Sequence, residues 1–166
     1  MKLNLKKMTL SAILIAMGFV LSPILRVPGM APMQHFINVI TAVMLGPWYA
    51  LFGAVAISVL RMTLMGINVL AITGSIFGAT LSGLLYRRFK KTVAAVIGEI
   101  IGTGLIGSIL SYPAMALIMG NTKVTLFTYV PSFISGTVIG GFTAYILLTA
   151  LSQNNMLLKM QKSLEE

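Results

Sequence analysis

The 166-residue chain contains no cysteine and no aspartate, and it has only three glutamates and one histidine. Without cysteine there is no disulfide, no thiolate nucleophile and no thiolate metal ligand. Glu165 and Glu166 lie at the C-terminus, so Glu99 has no second carboxylate with which to divide acid and base roles. His35 cannot form a zinc site alone, and no G-x-x-x-x-G-K phosphate loop is present. We therefore expect no enzymatic activity, no metal site and no cofactor in this chain.

Charged residues are also scarce, at 9%, whereas 57% of residues are hydrophobic and the mean hydropathy is +0.96. A soluble domain could not present such a composition to water. The chain divides into about six apolar segments, and a stretch of roughly 18 or more such residues can cross a hydrocarbon core of about 30 Å. We predict an all-α integral membrane protein with six transmembrane helices, the second of them short, forming one domain over residues 1–166.

The positive charge is concentrated at the ends of apolar segments. The net charge is +9, and most of it comes from three groups: Lys2, Lys6 and Lys7; Arg87, Arg88, Lys90 and Lys91; and Lys159 and Lys162. A nucleic-acid surface needs a continuous basic face with aromatic platforms, so we expect no nucleic-acid partner. Basic groups at the ends of apolar segments are typical of the positive-inside rule and predict cytoplasmic N- and C-termini.

The predicted helices cover residues 8–25, 33–45, 48–65, 68–86, 92–119 and 126–151. The first could be a signal peptide, but no A-x-A-like cleavage site follows it. The second is short enough to be a re-entrant segment. We favour a span, because a span places all three basic groups on one side of the membrane. We expect Pro113 to break the fifth helix and residues 153–166 to form a polar tail.

Residues 28–48 interrupt the apolar pattern with a polar cluster. Gln34, His35 and Asn38 have three- and four-residue spacings, which place them on neighbouring parts of one helix face. Prolines and a glycine shape the preceding loop, and Arg26 lies just before it. The pattern predicts either a lip over a small-molecule pocket or an ordinary connector at the water interface.

Two ionisable residues lie within predicted spans. Arg61 would cost about 2.5 to 3.5 kcal/mol at the bilayer centre, so it needs water, a partner or a ligand unless it snorkels outward. Glu99 lies about 10 Å into the fifth helix. It is a candidate functional residue, or else a protonated or hydrogen-bonded carboxyl that holds helices together. The different depths of the two residues argue against a direct pair.

Three further residues are candidates by depth and polarity. Asn68, Tyr112 and Tyr129 lie toward the predicted outer side, where Tyr112 could stack on a ligand ring or belong to the aromatic belt. In the first helix, Ala12 and Ala16 are four residues apart and form a small-xxx-small surface that lets another helix approach closely.

Three runs of sequence indicate a family. SAILIAMGFVLSP, QHFINVITAVMLGPWYA and GEIIGTGLIGSILSY resemble the ThiW type of substrate-binding S component of energy-coupling factor transporters. Such proteins are assigned to uptake of the thiazole precursor of thiamine. The resemblance covers nearly the whole chain and implies a multi-pass protein of a prokaryotic plasma membrane.

The resemblance also implies partners and a site. The partners would be a transmembrane coupling subunit, which docks on Ala12 and Ala16, and two cytoplasmic ATPases that use the ATP. The ligand would bind toward the outer side. The matching runs imply that Gln34, His35, Asn38 and Tyr112 contact it. Arg61, Asn68, Tyr129 and Glu99 are added as ligand contacts on depth and polarity alone.

The sequence leaves the identity of the ligand open. Hydroxyethylthiazole offers a ring, a ring nitrogen and a hydroxyl, whereas a phosphate ester would find its natural partner in Arg61. Another thiamine-related heterocycle would need the same donors and rings. A membrane scaffold subunit without a ligand is the remaining alternative.

Overall fold

Eight helices account for most of residues 4–25, 27 and 29–166, which are the residues that the computed structural model describes. Their order is α1 (Leu5–Ile24), α2 (Pro32–Leu45), α3 (Pro47–Met65), α4 (Leu70–Thr73), α5 (Ile76–Phe89), α6 (Thr92–Ile118), α7 (Val130–Gln153) and α8 (Met156–Glu165). Helix α6 is continuous but widens into π-type turns over Ile100–Gly107 and Ala114–Ile118. The prediction of an all-α protein is confirmed.

Residues that favour helix ends set several of these boundaries. The Asn4 side chain accepts a hydrogen bond from the backbone of the first turn of α1, as an N-cap asparagine does. Pro32 and Pro47 occupy the first positions of α2 and α3, where no amide hydrogen is needed. Gly46 and Gly66 follow the last residues of these two helices with φ of 89° and 64°, a region that glycine enters without strain.

Helix α2 is the centre of the bundle. It packs against α1, α3, α5, α6, α7 and α8, and nearly all of its residues are buried, including Val39 and Ala42 at 0% exposure. A helix buried on all sides must be apolar all round except where its polar groups are paired. The few polar residues of α2 therefore need partners inside the protein.

The outer helices expose their apolar side chains. Helices α1, α3, α6 and α7 are each long and apolar enough to cross a bilayer, and large side chains such as Phe52, Leu64, Leu117 and Phe142 project from the bundle. A water-soluble monomer rarely exposes apolar surface on this scale. The exposed apolar surface is therefore consistent with a membrane protein. Helices α2 and α5 have 14 residues each.

Helix α8 joins the two ends of the chain at one end of the bundle. Asn4 Nδ2 donates to the Leu164 carbonyl at 2.7 Å. Gln161 Nε2 donates to the Val43 carbonyl at 2.8 Å and to the Tyr86 hydroxyl at 3.0 Å. Because α1 begins and α2 ends here, the opposite end of the bundle holds the α1–α2 connection, the end of α3 and the start of α7.

Three predictions of local structure differ from what is observed. The helix predicted over 68–86 is divided at Gly74 and Ser75 into α4 and α5. Residues 153–166 are mostly helical rather than a tail, because Leu157 and Leu164 are seven residues apart and both buried. Helix α6 continues through Pro113, and the distortion there is a wide turn over Ala114–Ile118 rather than a break.

Candidate functional site

A cavity of about 350 Å³ lies at the end of the bundle opposite α8. The α1–α2 loop, the first turn of α2, the end of α3, the α4 region and the first turns of α7 form its wall. The lining residues are Gly29, Met30, Ala31, Gln34, His35, Arg61, Gly66, Ile67, Asn68, Leu70, Ala71, Gly74, Ser132 and Phe133. Apolar side chains thus alternate with a few polar ones, as in sites for small organic ligands.

Four of the residues predicted from the sequence line this cavity. Gln34 and His35 come from the first turn of α2, Arg61 from the last turns of α3, and Asn68 from the α3–α4 connection. Arg61 is only 8% exposed, and its Nη1 donates to Gln34 Oε1 at 3.3 Å. The guanidinium therefore lies in the cavity wall.

The polar contacts continue below the cavity to Asn38. Gln34 Nε2 lies 3.4 Å from Asn38 Oδ1, one helical turn deeper. Asn38 Nδ2 in turn lies 3.0 Å from Glu99 Oε1 and 3.4 Å from the Ser75 carbonyl. Asn38 does not line the cavity, but it connects the cavity wall to a buried carboxylate.

Glu99 is completely buried at the meeting point of α2, α5 and α6. His35 Nδ1 lies 2.9 Å from Glu99 Oε1, and Thr103 Oγ1 donates to the same oxygen at 3.2 Å. Together with Asn38, these contacts bring three polar side chains to Oε1. The chain's only histidine thus contacts the one glutamate outside its C-terminus.

A hydroxyl network supports the cavity floor where α4 and α5 separate. Ser58 Oγ of α3 donates to the Ala71 carbonyl at 2.7 Å and lies 2.8 Å from Ser75 Oγ. These bonds satisfy backbone groups at the interruption between the two helices. They fix Ala71, which lines the cavity, against α3.

The remaining predicted residues lie elsewhere. Tyr112 and Tyr129 are half-buried and lie outside the cavity lining, although the Tyr129 ring is 6.1 Å from the Phe133 ring. Their role as ligand contacts stays a prediction. Arg26, which precedes the loop, lies outside the described residues.

Sequence reasoning missed Phe133, Ser132 and Thr103. Phe133 is four residues after Tyr129, so the two share a helix face, and that spacing was the available signal. Thr103 likewise follows Glu99 by four residues. The aromatic ring in the cavity wall therefore belongs to Phe133.

Ala12 and Ala16 are exposed on the outside of α1. The opposite side of α1 is buried, with Leu14 and Gly18 directed toward the bundle. The small-residue face is therefore not used in the packing of this chain's described residues.

Comparison with known protein families gives a match. A family model described as "Thiamine-precursor transporter protein (ThiW)" matches residues 8–154. No curated protein and no solved structure gives a match. Because the family model covers most of the chain, from α1 to the end of α7, the protein belongs to the ThiW family of thiamine-precursor transporters.

Proposed function

We propose that the chain is the substrate-binding S component of an ATP-driven energy-coupling factor importer and that it captures 4-methyl-5-(2-hydroxyethyl)thiazole. Family membership supports the transport of a thiamine precursor. The observation that carries the choice of ligand is the cavity of about 350 Å³, with Gln34, His35, Arg61 and Asn68 on its polar side and Phe133 in its wall.

The cavity is large enough for a ligand with one small ring. Ligand sites commonly measure about 300 to 1,000 Å³, so this cavity is at the small end of that range. A thiazole ring can lie against Phe133, and the ring nitrogen and hydroxyl can bond to the polar side chains.

For the membrane topology we propose six spans: α1, α2, α3, α4 together with α5, α6 and α7. The contact between Asn4 and α8 supports an even number of crossings, because it holds the start of α1 and the C-terminal helix at the same end of the bundle. The basic groups favour the cytoplasm for this end, and in the proposed topology the cavity opens at the outer side. The whole of residues 1–166 then acts as one substrate-binding unit in the plasma membrane of a prokaryote.

Energy for uptake would come from partner subunits. We propose that a transmembrane coupling subunit docks on the exposed Ala12 and Ala16 face of α1 and that two cytoplasmic ATPases hydrolyse ATP. The ligand-binding chain then needs no nucleotide for capture, and it needs no catalytic group.

Binding by the isolated chain tests the proposal. The purified protein, without ATP or partners, should release or absorb heat on titration with hydroxyethylthiazole and should melt at a higher temperature in its presence, because a ligand that binds only the folded form stabilises it by mass action. A thiamine-pathway pyrimidine and other small heterocycles provide the comparison panel. No heat and no thermal shift across the thiazole series would contradict the proposed ligand, and a response to another heterocycle would identify a different one.

The aromatic wall gives a second test. Phe133→Ala should weaken hydroxyethylthiazole binding by about tenfold or more, because it removes a ring worth roughly 0.5 to 1.5 kcal/mol in stacking beyond its buried area. Tyr112→Ala is the matched control, since Tyr112 lies outside the cavity lining. Isothermal titration of both variants makes the comparison. An equal loss of affinity in the two variants would show that Tyr112 contacts the ligand. Unchanged affinity in Phe133→Ala would show that the thiazole ring does not bind against Phe133.

A further inference from the structure

Another cavity, which we call the α5 groove, lies on the outside of the bundle where α3 and α6 flank α5. Its volume is about 360 Å³, and residues of α5 form most of its lining. The lining residues are all half-buried or exposed, and none of them belongs to the candidate ligand site. They are Leu51, Ile76, Phe77, Thr80, Leu81, Leu84 and Ile106.

The opposite side of α5 packs closely against both of its neighbours. Gly83 of α5 lies directly against Pro47 of α3, and a β-carbon at Gly98 of α6 would stand 2.7 Å from the Ser82 α-carbon. Small residues let helix backbones approach each other in this way. The outward side of α5 is therefore recessed between α3 and α6, which leaves a groove along it.

The α5 groove offers an occupant apolar contacts. Among its lining residues, Thr80 alone has a polar side chain. The Thr80 hydroxyl donates its hydrogen to the Ile76 carbonyl at 2.7 Å, so it has no hydrogen left to donate to an occupant. A surface of this kind suits a hydrocarbon chain.

Basic side chains follow at one end of the α5 groove. Arg87 and Arg88 come three and four residues after Leu84, the spacing of neighbouring side chains on one helix face. Both are exposed, and neither forms a salt bridge within the described part of the chain, where Glu165 and Glu166 at the same end of the bundle also form none. Because a guanidinium can bond a phosphate through two parallel hydrogen bonds, this end complements an anionic phosphate group.

The length of the α5 groove fits one leaflet of a bilayer. Ile76 is the α5 lining residue farthest from the basic end, and it precedes Arg87 by a distance of about 16 Å at a rise of about 1.5 Å per residue. Half of a hydrocarbon core of about 30 Å is about 15 Å. A membrane-spanning partner helix would need a groove about twice as long, so the length favours a lipid chain.

We propose that the α5 groove binds one anionic phospholipid, with an acyl chain along α5 and the phosphate at Arg87 and Arg88. The lipid belongs to the leaflet at the basic end, which is the cytoplasmic leaflet in the proposed topology. The inference goes beyond the proposed function, because it does not depend on which ligand the other cavity takes.

Lipid binding by the purified chain provides the first measurement. Native mass spectrometry in detergent, with titration of dioleoylphosphatidylglycerol or dioleoylphosphatidylcholine, counts the bound lipids directly. The first phosphatidylglycerol should bind at least about tenfold more tightly than the first phosphatidylcholine, because basic side chains attract an anionic lipid. Equal affinities for the two lipids would overturn the inference, and so would several phosphatidylglycerol molecules of equal affinity without a distinct first site.

The double variant Arg87→Gln with Arg88→Gln tests the basic end. Its affinities for the two lipids should differ by no more than about twofold, because the charges that attract the anionic lipid are gone. Lys159→Gln with Lys162→Gln is the matched control, since it removes the same charge from α8 at the same end of the bundle. The control should keep the preference. An equal loss of preference in the two double variants would show attraction to the whole basic surface and would contradict a site at the groove.

Thr80→Phe tests the groove itself. A phenyl ring at this lining position occupies the space of the acyl chain, so the first phosphatidylglycerol should bind at least about tenfold more weakly. Thr143→Phe is the matched control, because Thr143 is exposed on α7 and its hydroxyl likewise donates to the carbonyl four residues earlier, at 2.8 Å. The control should bind phosphatidylglycerol as the wild type does. Unchanged binding by Thr80→Phe, or an equal loss in both variants, would show that the lipid does not lie in the α5 groove.

Discussion

ATP-dependent uptake by vesicles that contain the whole importer should fall to background with Ala12→Trp or Ala16→Trp. Each isolated variant should keep its ligand affinity within about threefold, because the altered face and the cavity do not share residues. In lipid, no hydrophobic effect drives helices together, so association depends on close contact between small residues. An indole on this exposed face would hold a partner helix away. Uptake assays, co-purification with the coupling subunit and a binding isotherm make the comparison.

Ala150→Trp is the matched control for these variants. Ala150 is another exposed alanine, near the end of α7 and at the same end of the bundle as the start of α1. It should leave uptake close to the wild-type rate. Normal uptake with both α1 variants would mean that the coupling subunit docks elsewhere. Loss of ligand binding in both would mean that the face contributes to the fold of the chain itself.

The helices of the bundle could be predicted from the sequence where the bilayer restricts the conformation of the backbone. Backbone groups in hydrocarbon must bond within a helix, so apolar runs such as the one that became α3 leave little choice. The interruption at Gly74 and Ser75 was harder to predict, because it depends on Ser58, which lies on another helix and bonds to Ser75 and to the Ala71 carbonyl. Helix α8 was predicted as a polar tail because its residues are mostly polar, although two leucines seven residues apart indicate an amphipathic helix.

In the candidate site, contacts within one helix could be predicted from the sequence, whereas contacts between helices could not. Helical spacing predicted that Gln34, His35 and Asn38 lie on one face of a helix. In the structure all three are buried in α2, and Gln34 contacts Asn38. The contact between His35 and Glu99 joins residues 64 positions apart, and spacing cannot predict such a pair. Because α2 has only 14 residues, a residue in its first turn reaches the depth of Glu99, about 10 Å along α6. A buried acid needs donors, and that requirement was the physical signal available in the sequence.

The close approach of α5 and α6 beside Glu99 should make Gly102→Ala strongly destabilising. A β-carbon at Gly102 of α6 would stand 2.6 Å from the Gly78 α-carbon and 2.7 Å from its nitrogen, and backbone atoms of α5 cannot rotate away as a side chain can. Overpacking of this kind costs about 1 to 3 kcal/mol, which corresponds to a melting temperature lower by roughly 2 to 12 °C. Ligand affinity should fall as well, because displacement of α6 moves Glu99 away from His35.

Gly53→Ala is the matched control for Gly102→Ala. Gly53 is also buried in a helix, α3, but its β-carbon would meet Ile15 Cγ1 at 3.8 Å and Thr41 Cγ2 at 4.0 Å, which are ordinary contacts. Alanine is also the better helix former by about 1 kcal/mol, so this variant should melt at or above the wild-type temperature and keep its ligand affinity. Thermal unfolding and ligand titration of the two variants in the same detergent provide the measurement. Equal melting temperatures for both would show that α5 and α6 can separate without cost, which would contradict the prediction.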